Sequence, residues 1–438
     1  APPDVDDPAG SSPGYTTAAS PRRIPKSAMP HPAETHPLVV IGGGAAGFFG
    51  AISAAEHGVE DIVILESTRD VLTKVRISGG GRCNVTHSCF DPKELIRSYP
   101  RGHKNLLGPF HRWQVADTVN WFEDRGIELK TEDDGRMFPV TDDSETIVRA
   151  LQKAAKELGI EWQTRTRVTG ITLNEDGTFT IETDPGEVLK AQNVLIATGG
   201  IRTREARLPV VAVEQETSSP VPSLFTFKID DDRLADLSGL SVSETTARAV
   251  DQETTGPILV THWGLSGPAI LKLSAWAARE LAGCDYHFTL TVDWTGGRGG
   301  ELIDRFEKER KDHGTRSIRK RSLVEGIPGR LWHHLCRAAG ITDEQTWAQL
   351  ARTERDALIA QLTRAEFAVT GKSLNKDEFV TCGGVPLDAV NLKTMESKAT
   401  PGVYYAGEVL DIDGITGGFN FQAAWTTGRL AGMAIAEL

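Results

Sequence analysis

The segment Leu38-Val-Val-Ile-Gly-Gly-Gly-Ala-Ala-Gly47 decides the fold of this 438-residue chain. Residues 38–41 are aliphatic, which predicts a buried strand. Residues 42–47 form a GxGxxG turn, and residues 48–57 continue as a predicted helix. A strand, a glycine turn and a helix in this order are typical of a βαβ unit that binds a dinucleotide.

The glycines of this turn and the first helical turn are the predicted phosphate contacts. Gly42 allows the tight turn, Gly44 lets the backbone approach a pyrophosphate, and Gly47 lets the helix pack closely on the strand. The first N–H groups of a helix lack partners within the helix and carry partial positive charge, which attracts a phosphate. We therefore include Ala45 and Ala46 among the predicted cofactor contacts.

Residues 61–66 predict a second buried strand, which ends on an acidic residue. Glu66 lies 24 residues after Gly42, near the spacing of about 20 at which a carboxylate accepts hydrogen bonds from an adenosine ribose. A carboxylate there favours a free 2′-hydroxyl over a 2′-phosphate, so FAD or NAD fits better than NADP.

Three later segments favour FAD over NAD, because sites so far apart in sequence imply a long ligand. Residues 74–84 carry three consecutive glycines and cations, which suit a second loop around a diphosphate. Residues 194–200 predict an apolar strand that ends in Ala-Thr-Gly-Gly. Residues 402–408 predict a further strand that ends on an acid, and residues 413–422 lead into a helix of small residues at about 421–437.

Two of these motifs resemble the BaiN/RdsA family of flavoproteins. They are ISGGGRCNVTH at 77–87 and KTMESKATPGVYYAGEVLDIDGITGGFNFQAAWTTG at 393–428, and the resemblance covers residues 38–200 and 220–438. It implies an α/β fold: a Rossmann-like, two-dinucleotide-binding FAD domain, interrupted by a mainly β, barrel-like insert and a small helical domain. It also implies NAD(P)H as the electron donor.

The resemblance implies a set of flavin contacts by position. They are Gly42, Gly44, Gly47, Glu66, Lys74, Ser78, Gly79, Gly81, Arg82, Asn84, Gly407, Glu408, Gly418, Phe419, Asn420 and Gln422. Thr198 and Gly199, at the end of the strand 194–200, are added as the return crossing beneath the cofactor. Val168, in the strand-like residues 166–170, is placed beside the adenine through its backbone.

The middle of the chain follows a different pattern. Residues 224–229 and 287–293 alternate as strands do, residues 261–268 form a turn-rich loop before a helix, and residues 322–363 have helical spacing. Residues 296–300 are glycine-rich but do not fit GxGxxG, so the sequence offers no second nucleotide fold for NAD(P)H.

These patterns divide the chain into four parts. They are a disordered leader at 1–37, an FAD domain at 38–205 and 377–438, a β-rich insert at 206–320 and 364–376, and a helical subdomain at 321–363. One departure from the family stands at 201–220, where the sequence predicts that a helix is missing or replaced.

Composition narrows the function classes. Sixty acidic and 48 basic side chains give a net charge of −12, which argues against binding nucleic acid or a membrane over the whole surface. Five scattered cysteines favour a reducing compartment and no structural metal. The uncharged residues 38–55 contain five glycines, so we do not expect membrane insertion.

The leader leaves the location partly open. Residues 1–37 hold nine of the 22 prolines, and a processed tail, a cloning remnant and an organellar transit peptide all fit them. A cytoplasmic location is expected, with an organellar stroma or matrix as the alternative.

One stretch has the opposite charge to the rest of the chain. Residues 305–337 hold ten Lys and Arg against four Asp and Glu, a local charge of +6. This pattern fits a solvated helix pair, or a patch that contacts the phosphates of ribosomal RNA or of a nucleotide donor.

Three functions remain open on this basis. The first is an NAD(P)H-driven, FAD-dependent reduction of a conjugated carbon–carbon double bond in a small molecule. The second is dihydrouridine formation in ribosomal RNA, and the third is a flavin-bound sensor without catalysis. No catalytic residue is assigned, since His262, Arg136 and Asp411 suit structural roles and Cys83 and Cys89 do not have the spacing of a redox pair.

Overall fold

The structure is a computed structural model, and it describes residues 35–184, 186–373 and 380–438. Most of the predicted leader therefore lies outside the described residues. Its last three residues, 35–37, belong to strand β1, Thr35–Ile41, so the predicted strand start at residue 38 is corrected to Thr35.

Thirteen α-helices occur within the described residues. They are α1 Ala45–Glu56, α2 Thr73–Gly81, α3 Pro92–Leu95, α4 His103–Arg112, α5 Val115–Glu123, α6 Ser144–Glu157, α7 Arg204–Ala212, α8 Pro268–Trp276, α9 Ala278–Gly283, α10 Leu302–His313, α11 Gly329–Ala338, α12 Arg352–Thr363 and α13 Phe419–Ala436.

The same part of the chain forms twenty strands. After β1 they are β2 Ile62–Leu65, β3 Thr86–His87, β4 Leu129–Thr131, β5 Arg136–Pro139, β6 Glu161–Gln163, β7 Arg167–Leu173, β8 Phe179–Asp184, β9 Val188–Ile196, β10 Val221–Ser223, β11 Thr226–Lys228, β12 Ser241–Ala249, β13 Gln252–Thr261, β14 Gly264–Ser266, β15 His287–Asp293, β16 Ala365–Ser373, β17 Val380–Cys382, β18 Val390–Asn391, β19 Glu396–Ser397 and β20 Val403–Tyr405.

The dinucleotide-binding domain is built on a nine-stranded sheet. Its order is β18-β19-β20-β9-β1-β2-β6, with β8 paired to β9 and β7 paired to β8. The pairs of β1 with β2 and β9, of β20 with β9 and of β2 with β6 are parallel. Parallel strands are covered on both faces, which is why β2 and the second half of β1 are continuously apolar and buried. The predicted Rossmann-like fold is confirmed.

The inserted β structure is a closed barrel of six antiparallel strands, in the order β11-β14-β13-β12-β15-β16. Its core includes Phe227, Ile258 and Leu290, each fully buried. Strand β15 has the predicted bounds, whereas β11 is shorter than the predicted 224–229. The predicted loop at 261–268 contains a further strand, β14, because a tight turn after Thr261 returns the chain along β13.

The helical piece packs around three aromatic side chains. The ring of Phe306, in α10, lies 5.3 Å from Trp347 and 6.3 Å from Trp332, in α11. Since α10 shares this core, we propose that the helical subdomain begins at Leu302 rather than at residue 321.

A helix is present where the sequence predicted that one was missing or replaced. Helix α7, Arg204–Ala212, follows the Ala-Thr-Gly-Gly segment, and the Thr203 hydroxyl accepts a hydrogen bond from the Ala206 amide at 3.2 Å as its N-cap. Pro209 lies inside the helix and removes one backbone hydrogen bond, which weakened the helical pattern in the sequence. The buried Val210 and the cap hold the helix in place.

Candidate functional site

The glycine turn between β1 and α1 has one open position between two packed ones. A Cβ at residue 42 would lie 2.3 Å from the carbonyl oxygen of Ala197, and a Cβ at residue 47 would lie 2.0 Å from that of Gly42. A Cβ at residue 44 would meet nothing within 4 Å. Gly42 and Gly47 are therefore required by packing, while Gly44 faces space in which a ligand fits.

Helix α1 starts three residues earlier than the predicted residue 48. Gly44 is its N-cap and has no side chain with which to cap it, so the first-turn amides, including those of Ala45 and Ala46, point out of the helix end without a side-chain acceptor. This end carries the partial positive charge that suits a phosphate.

Glu66 lies next to this helix end, as the spacing predicted. Its Oε2 accepts a hydrogen bond from the Gly43 amide at 2.8 Å, and its Oε1 accepts one from the Thr68 amide, also at 2.8 Å. Two amide donors fix the carboxylate at the carboxyl end of β2. The lone pairs that remain on its oxygens can accept from a ribose.

Val168 lies in the strand that starts beside Glu66. The Thr166 amide donates to the Glu66 carbonyl oxygen at 2.8 Å, and β7 begins one residue later. Val168 pairs with Thr183, and the register shifts directly after it. Its predicted backbone contact with an adenine stays a prediction, and its position beside the Glu66 end of β2 supports it.

A second glycine loop ends helix α2. Ser78 leaves the helical conformation with ψ 151°, and Gly79, Gly80 and Gly81 follow with φ of 58°, 69° and 86°. Three left-handed residues in succession favour glycine, because a Cβ is strained there. At Gly80 and Gly81 a Cβ would meet nothing within 4 Å, so this backbone also faces open space.

The cations of this motif have protein partners. Lys74 Nζ lies 2.5 Å from Glu408 Oε2, and the other oxygen of Glu408 accepts from the Thr381 amide at 2.8 Å. Arg82 pairs with Glu132 at 2.6 Å, which raises the pKa of the guanidinium, and stacks on the ring of Phe138. Lys74 thus joins two predicted site segments, and Arg82 donates from its Nε to the carbonyl oxygen of Gly79 in the same loop, at 3.3 Å.

The two long motifs meet at the start of α13. With its amide oxygen turned toward Gly418, Asn84 accepts from the Gly418 amide at 2.8 Å. The imidazole of His87 stacks on the ring of Phe419, with 4.6 Å between ring centres. The glycine loop at 78–81 and the turn at 414–418 are therefore held side by side, although more than 300 residues separate them.

Gln422, one of the predicted flavin contacts, hydrogen-bonds to other side chains, and its contact with the flavin stays a prediction. Gln422 is fully buried, its Oε1 accepts from the Thr86 hydroxyl at 2.7 Å, and its Nε2 lies 3.1 Å from the hydroxyls of both Thr118 and Thr426. All of its contacts are internal, so the side chain fixes the first turn of α13.

Asn420 has a similar internal role. Its side-chain amide forms two hydrogen bonds with the backbone of Gly414, at 2.8 and 2.9 Å. These bonds fix the turn that precedes α13, and the predicted contact of Asn420 with the flavin stays a prediction.

The remaining predicted residues cluster around Glu408. Gly407 and Glu408 form a short 3-10 turn after β20, and a Cβ at Gly199 would lie 4.0 Å from Glu408 Oε2. The Thr198 hydroxyl donates to the Ala206 carbonyl at 3.1 Å, which attaches this crossing to α7. The structure thus brings the ends of β9 and β20 together, as the sequence predicted.

A buried ion pair joins this site to the barrel, and no sequence pattern indicated it. Arg101 makes two contacts with Asp413, which is fully buried, and donates to the carbonyl of Ala275 at 2.6 Å. The Ser223 hydroxyl donates to Asp413 at 2.8 Å. Burial raises the pKa of Asp413, although Arg101 opposes that shift. Asp413 lies in the motif at 393–428 but had no predicted role, and Arg101 lies outside both motifs.

His87 is a second residue whose role the motif did not reveal. Its Nε2 lies 3.1 Å from the carbonyl oxygen of Asp134, and burial lowers its pKa. The positive charge of Lys272, in α8, lowers the pKa of His87 further.

The three loop residues considered for catalysis lie in structural settings. Arg136 pairs with Glu132 and Asp134 at 2.9 and 2.8 Å, and Asp411 accepts from the Gly383 amide at 3.0 Å. His262 is exposed in the turn between β13 and β14.

The thiols and the other titratable clusters show no built site within the described residues. Cys83, Cys336 and Cys382 are buried, and burial raises the pKa of Cys83 to about 12. No group of three or more His, Cys, Asp and Glu there could hold a metal ion. No helix in the same residues is long and apolar enough to cross a membrane.

Comparison with known proteins gives one family. Residues 36–434 match the family described as HI0933-like protein Rossmann domain. The chain is 28% identical over 404 residues to the ribosomal RNA dihydrouridine synthase of Escherichia coli (strain K12), covering 90% of this chain and 96% of that one. It is 27% identical over 409 residues to the 3-dehydro-bile acid delta(4,6)-reductase of Clostridium scindens, covering 91% and 98%.

A solved structure of 3-ketosteroid-delta4-(5alpha)-dehydrogenase from Rhodococcus jostii RHA1 aligns with 93% of this chain and 98% of its own. The identity is 14% and the TM-score is 0.49, a likeness too distant to carry an argument about function.

Proposed function

Because the chain belongs to the HI0933-like Rossmann domain family, we propose that it is an FAD-dependent oxidoreductase that reduces a conjugated carbon–carbon double bond in a small molecule. NAD(P)H is the proposed electron donor. The observation that carries this proposal is open backbone at Gly44, next to Glu66, and at Gly80 and Gly81, in a helix whose Lys74 pairs with Glu408.

The residues present fit FAD at both of its ends. Gly44 and the uncapped start of α1 suit the pyrophosphate, and Glu66 suits the adenosine ribose. The ion pair of Lys74 with Glu408 suits the polyol and phosphate of the flavin half of FAD. Gly80 and Gly81 offer backbone that no side chain covers. When bound, FAD supplies hydride transfer between the nucleotide donor and the substrate.

The chain itself contributes electrostatics and orientation. The N-terminal end of α13, held by Asn84 and by the buried amide of Gln422, directs partial positive charge toward the 79–87 loop. Positive charge fixed in place stabilises the negative charge that develops as the cofactor is reduced. The Arg101–Asp413 pair keeps the barrel in position against this turn.

The proposed place for the substrate is beside His87, at the start of α13. Lys272 on α8 acts on the pKa of His87, which stacks on Phe419. The substrate proposed for this place is a small conjugated molecule such as an enone. The reductase of Clostridium scindens, named for a bile acid substrate, supports this class of substrate.

Reduction of a uridine in ribosomal RNA is the second candidate. The Escherichia coli relative bears that name, and residues 305–337 carry a local excess of six positive charges. Two ion pairs with acidic residues outside this stretch offset part of the excess: Arg305 with Glu301 at 3.7 Å, and Arg319 with Asp343 at 2.7 Å. This pairing favours the small-molecule substrate. The free thiols of all five cysteines support a reducing compartment such as the cytoplasm.

Anaerobic titration of the purified protein with NADH and with NADPH tests the proposal. We expect one nucleotide to bleach the oxidised flavin band rapidly, and a small enone to restore it. If a uridine-containing ribosomal RNA fragment restores the oxidised flavin band and enones do not, the assignment moves to the second candidate. A flavin that neither nucleotide reduces would favour the non-catalytic sensor and contradict both enzymatic assignments.

A further inference from the structure

A basic surface cavity lies at the start of α11, in the helical subdomain. Its volume is about 380 Å³, and its lining consists of Arg319, Lys320, Gly329, Arg330, His333 and His334. Every lining side chain is a cation or an imidazole, and none of these residues belongs to a flavin motif. At about 30 Å³ per water molecule, the cavity has room for a phosphate and part of the group esterified to it.

The helix end in this cavity is open to an anion. Helix α11 has ten residues, and its N-cap is Pro328, whose side chain cannot accept a hydrogen bond. A Cβ at Gly329 would meet nothing within 4 Å, so the first turn of the helix is not covered by other parts of the protein. Its amides and the helix dipole therefore add to the positive charge of the lining side chains.

Arg319 is the anchored part of the cavity. It is only 8% exposed, and its Nε is a buried donor for which the described residues supply no acceptor. Its Nη1 lies 2.7 Å from Asp343, and its Nη2 lies 2.5 Å from His333 Nε2. A guanidinium held from several sides is ordered before any ligand arrives, which lowers the entropy cost of binding.

Asp343 is the carboxylate that competes for this charge. It contacts both Arg319 and His333, at 2.7 and 3.1 Å, and its side chain is 68% exposed. Arg330 donates to the carbonyl oxygen of Asp236, and His334 Nδ1 lies 3.2 Å from that of Asp232. Backbone carbonyls orient these side chains without neutralising them.

We propose that this cavity binds a phosphate group, held by Lys320, Arg330 and the first turn of α11, with Arg319 behind them. The phosphate belongs either to a free nucleotide or to an RNA backbone, and its chemistry at the site is the same. The site is separate from the proposed flavin site, and it does not depend on the flavin chemistry.

The first test uses inorganic pyrophosphate and the flavin-loaded protein, so that the dinucleotide site is occupied. Calorimetric titration compares the wild type with Lys320→Ala/Arg330→Ala and with the control Lys311→Ala/Arg321→Ala. Both doubles remove two exposed cations, but only the first pair lines the cavity. We expect binding at least about fivefold weaker in the first variant, because two charge-assisted hydrogen bonds are removed, and unchanged binding in the control. Equal affinities in the two doubles would overturn the proposal.

A second variant pair tests the role of Asp343 in the opposite direction. Asp343→Asn removes the competing carboxylate, so pyrophosphate should bind more tightly. Asp304→Asn, an exposed change in α10 with the same effect on net charge, should not alter binding. If the affinity for pyrophosphate rises by the same factor in both variants, net charge alone explains the binding, and the proposal is contradicted.

Two further binding measurements on the same proteins, with RNA and with ADP, identify the source of the phosphate. If the ligand is RNA, binding of a labelled RNA hairpin should become less salt-dependent in Lys320→Ala/Arg330→Ala, by roughly 0.7–0.9 in slope for each phosphate that the variant no longer neutralises. If it is a free nucleotide, ADP should bind more weakly to this double while the RNA slope stays the same. If neither the ADP affinity nor the salt dependence of RNA binding changes in Lys320→Ala/Arg330→Ala, the proposed phosphate site is wrong. FAD content should be equal in all variants, and a loss of flavin would concern the proposed function alone.

Discussion

Gly44 and Gly47 lie three residues apart in one turn, yet the structure predicts opposite consequences for their replacement. In Gly44→Val the new side chain extends into space where a Cβ meets nothing within 4 Å. The backbone at Gly44, with φ −90° and ψ −169°, suits valine. The folded chain should therefore lose only the capping preference of glycine over valine, about 1 kcal/mol.

Gly47→Ala should instead damage the fold itself. Its Cβ would lie 2.0 Å from the Gly42 carbonyl oxygen, whereas ordinary contacts begin at 3.4 Å. Backbone must move by more than an ångström to relieve this overlap, and overpacking of this kind costs about 1–3 kcal/mol. For a domain of about 200 residues, a cost of about 2 kcal/mol lowers Tm by roughly 4–8 °C.

The assay is thermal unfolding of the flavin-free proteins combined with flavin retention after purification. We expect Gly44→Val to unfold near the wild-type temperature and to retain little flavin, because the isopropyl group occupies the space assigned to the pyrophosphate. Gly47→Ala should show the larger drop in Tm. A Gly44→Val protein that is folded and fully loaded with FAD would refute the assignment of the phosphate to this helix end.

Four further predictions rest on single contacts. Glu66→Ala should weaken FAD binding by about 1.5–3 kcal/mol, the range for hydrogen bonds to a charged group, measured by equilibrium titration; unchanged affinity would contradict the ribose assignment. Gln422→Leu should lower stability by about 1–3 kcal/mol, because buried threonine hydroxyls lose their partner, and denaturant unfolding should show this. Asp413→Asn should lower the free energy of unfolding by about 3–5 kcal/mol, because Arg101 loses its buried counter-charge. A loss smaller than that of Asp312→Asn, which removes an exposed ion pair, would contradict the role of the Arg101–Asp413 pair in holding the barrel. The lowered pKa of His87 means that the unfolded chain binds the proton more readily, so this residue's contribution to stability is present above pH 6.5 and is lost as the pH falls below it; His87→Asn should flatten that part of the curve.

The local elements of the fold could be predicted from the sequence because their determinants are local. Strand β1, the glycine turn and α1 follow from consecutive residues, and so do β2 and its terminal Glu66. The errors lie at element boundaries and at α7, where Pro209 weakened the helical pattern. The start of β1 was missed because Pro37 resembles the proline-rich leader. In the structure residues 35 and 36 pair only with β9, and pairing with β2 begins at Leu38, so a proline is tolerated there.

Contacts between distant segments could not be predicted from the sequence. Gln422 reads as a polar residue in the first turn of a helix, and only the fold brings Thr86 and Thr118 to it. Arg101 and Asp413 are 312 residues apart, and neither lies in a pattern that indicates the other. The basic stretch was recognised as a charge excess, but the partners of Arg319 and its burial depend on how α11 packs.

If the glycine turn at Gly44 and the loop at 79–81 together hold FAD, the stoichiometry and identity of the bound cofactor should show it. The flavin released by denaturing a known amount of purified protein is measured by absorbance and identified by chromatography. We expect one FAD per chain in the wild type and a large loss of FAD in Gly44→Val. A folded wild-type protein that carries no flavin, fails to take up FAD on reconstitution and binds NAD instead would contradict this expectation.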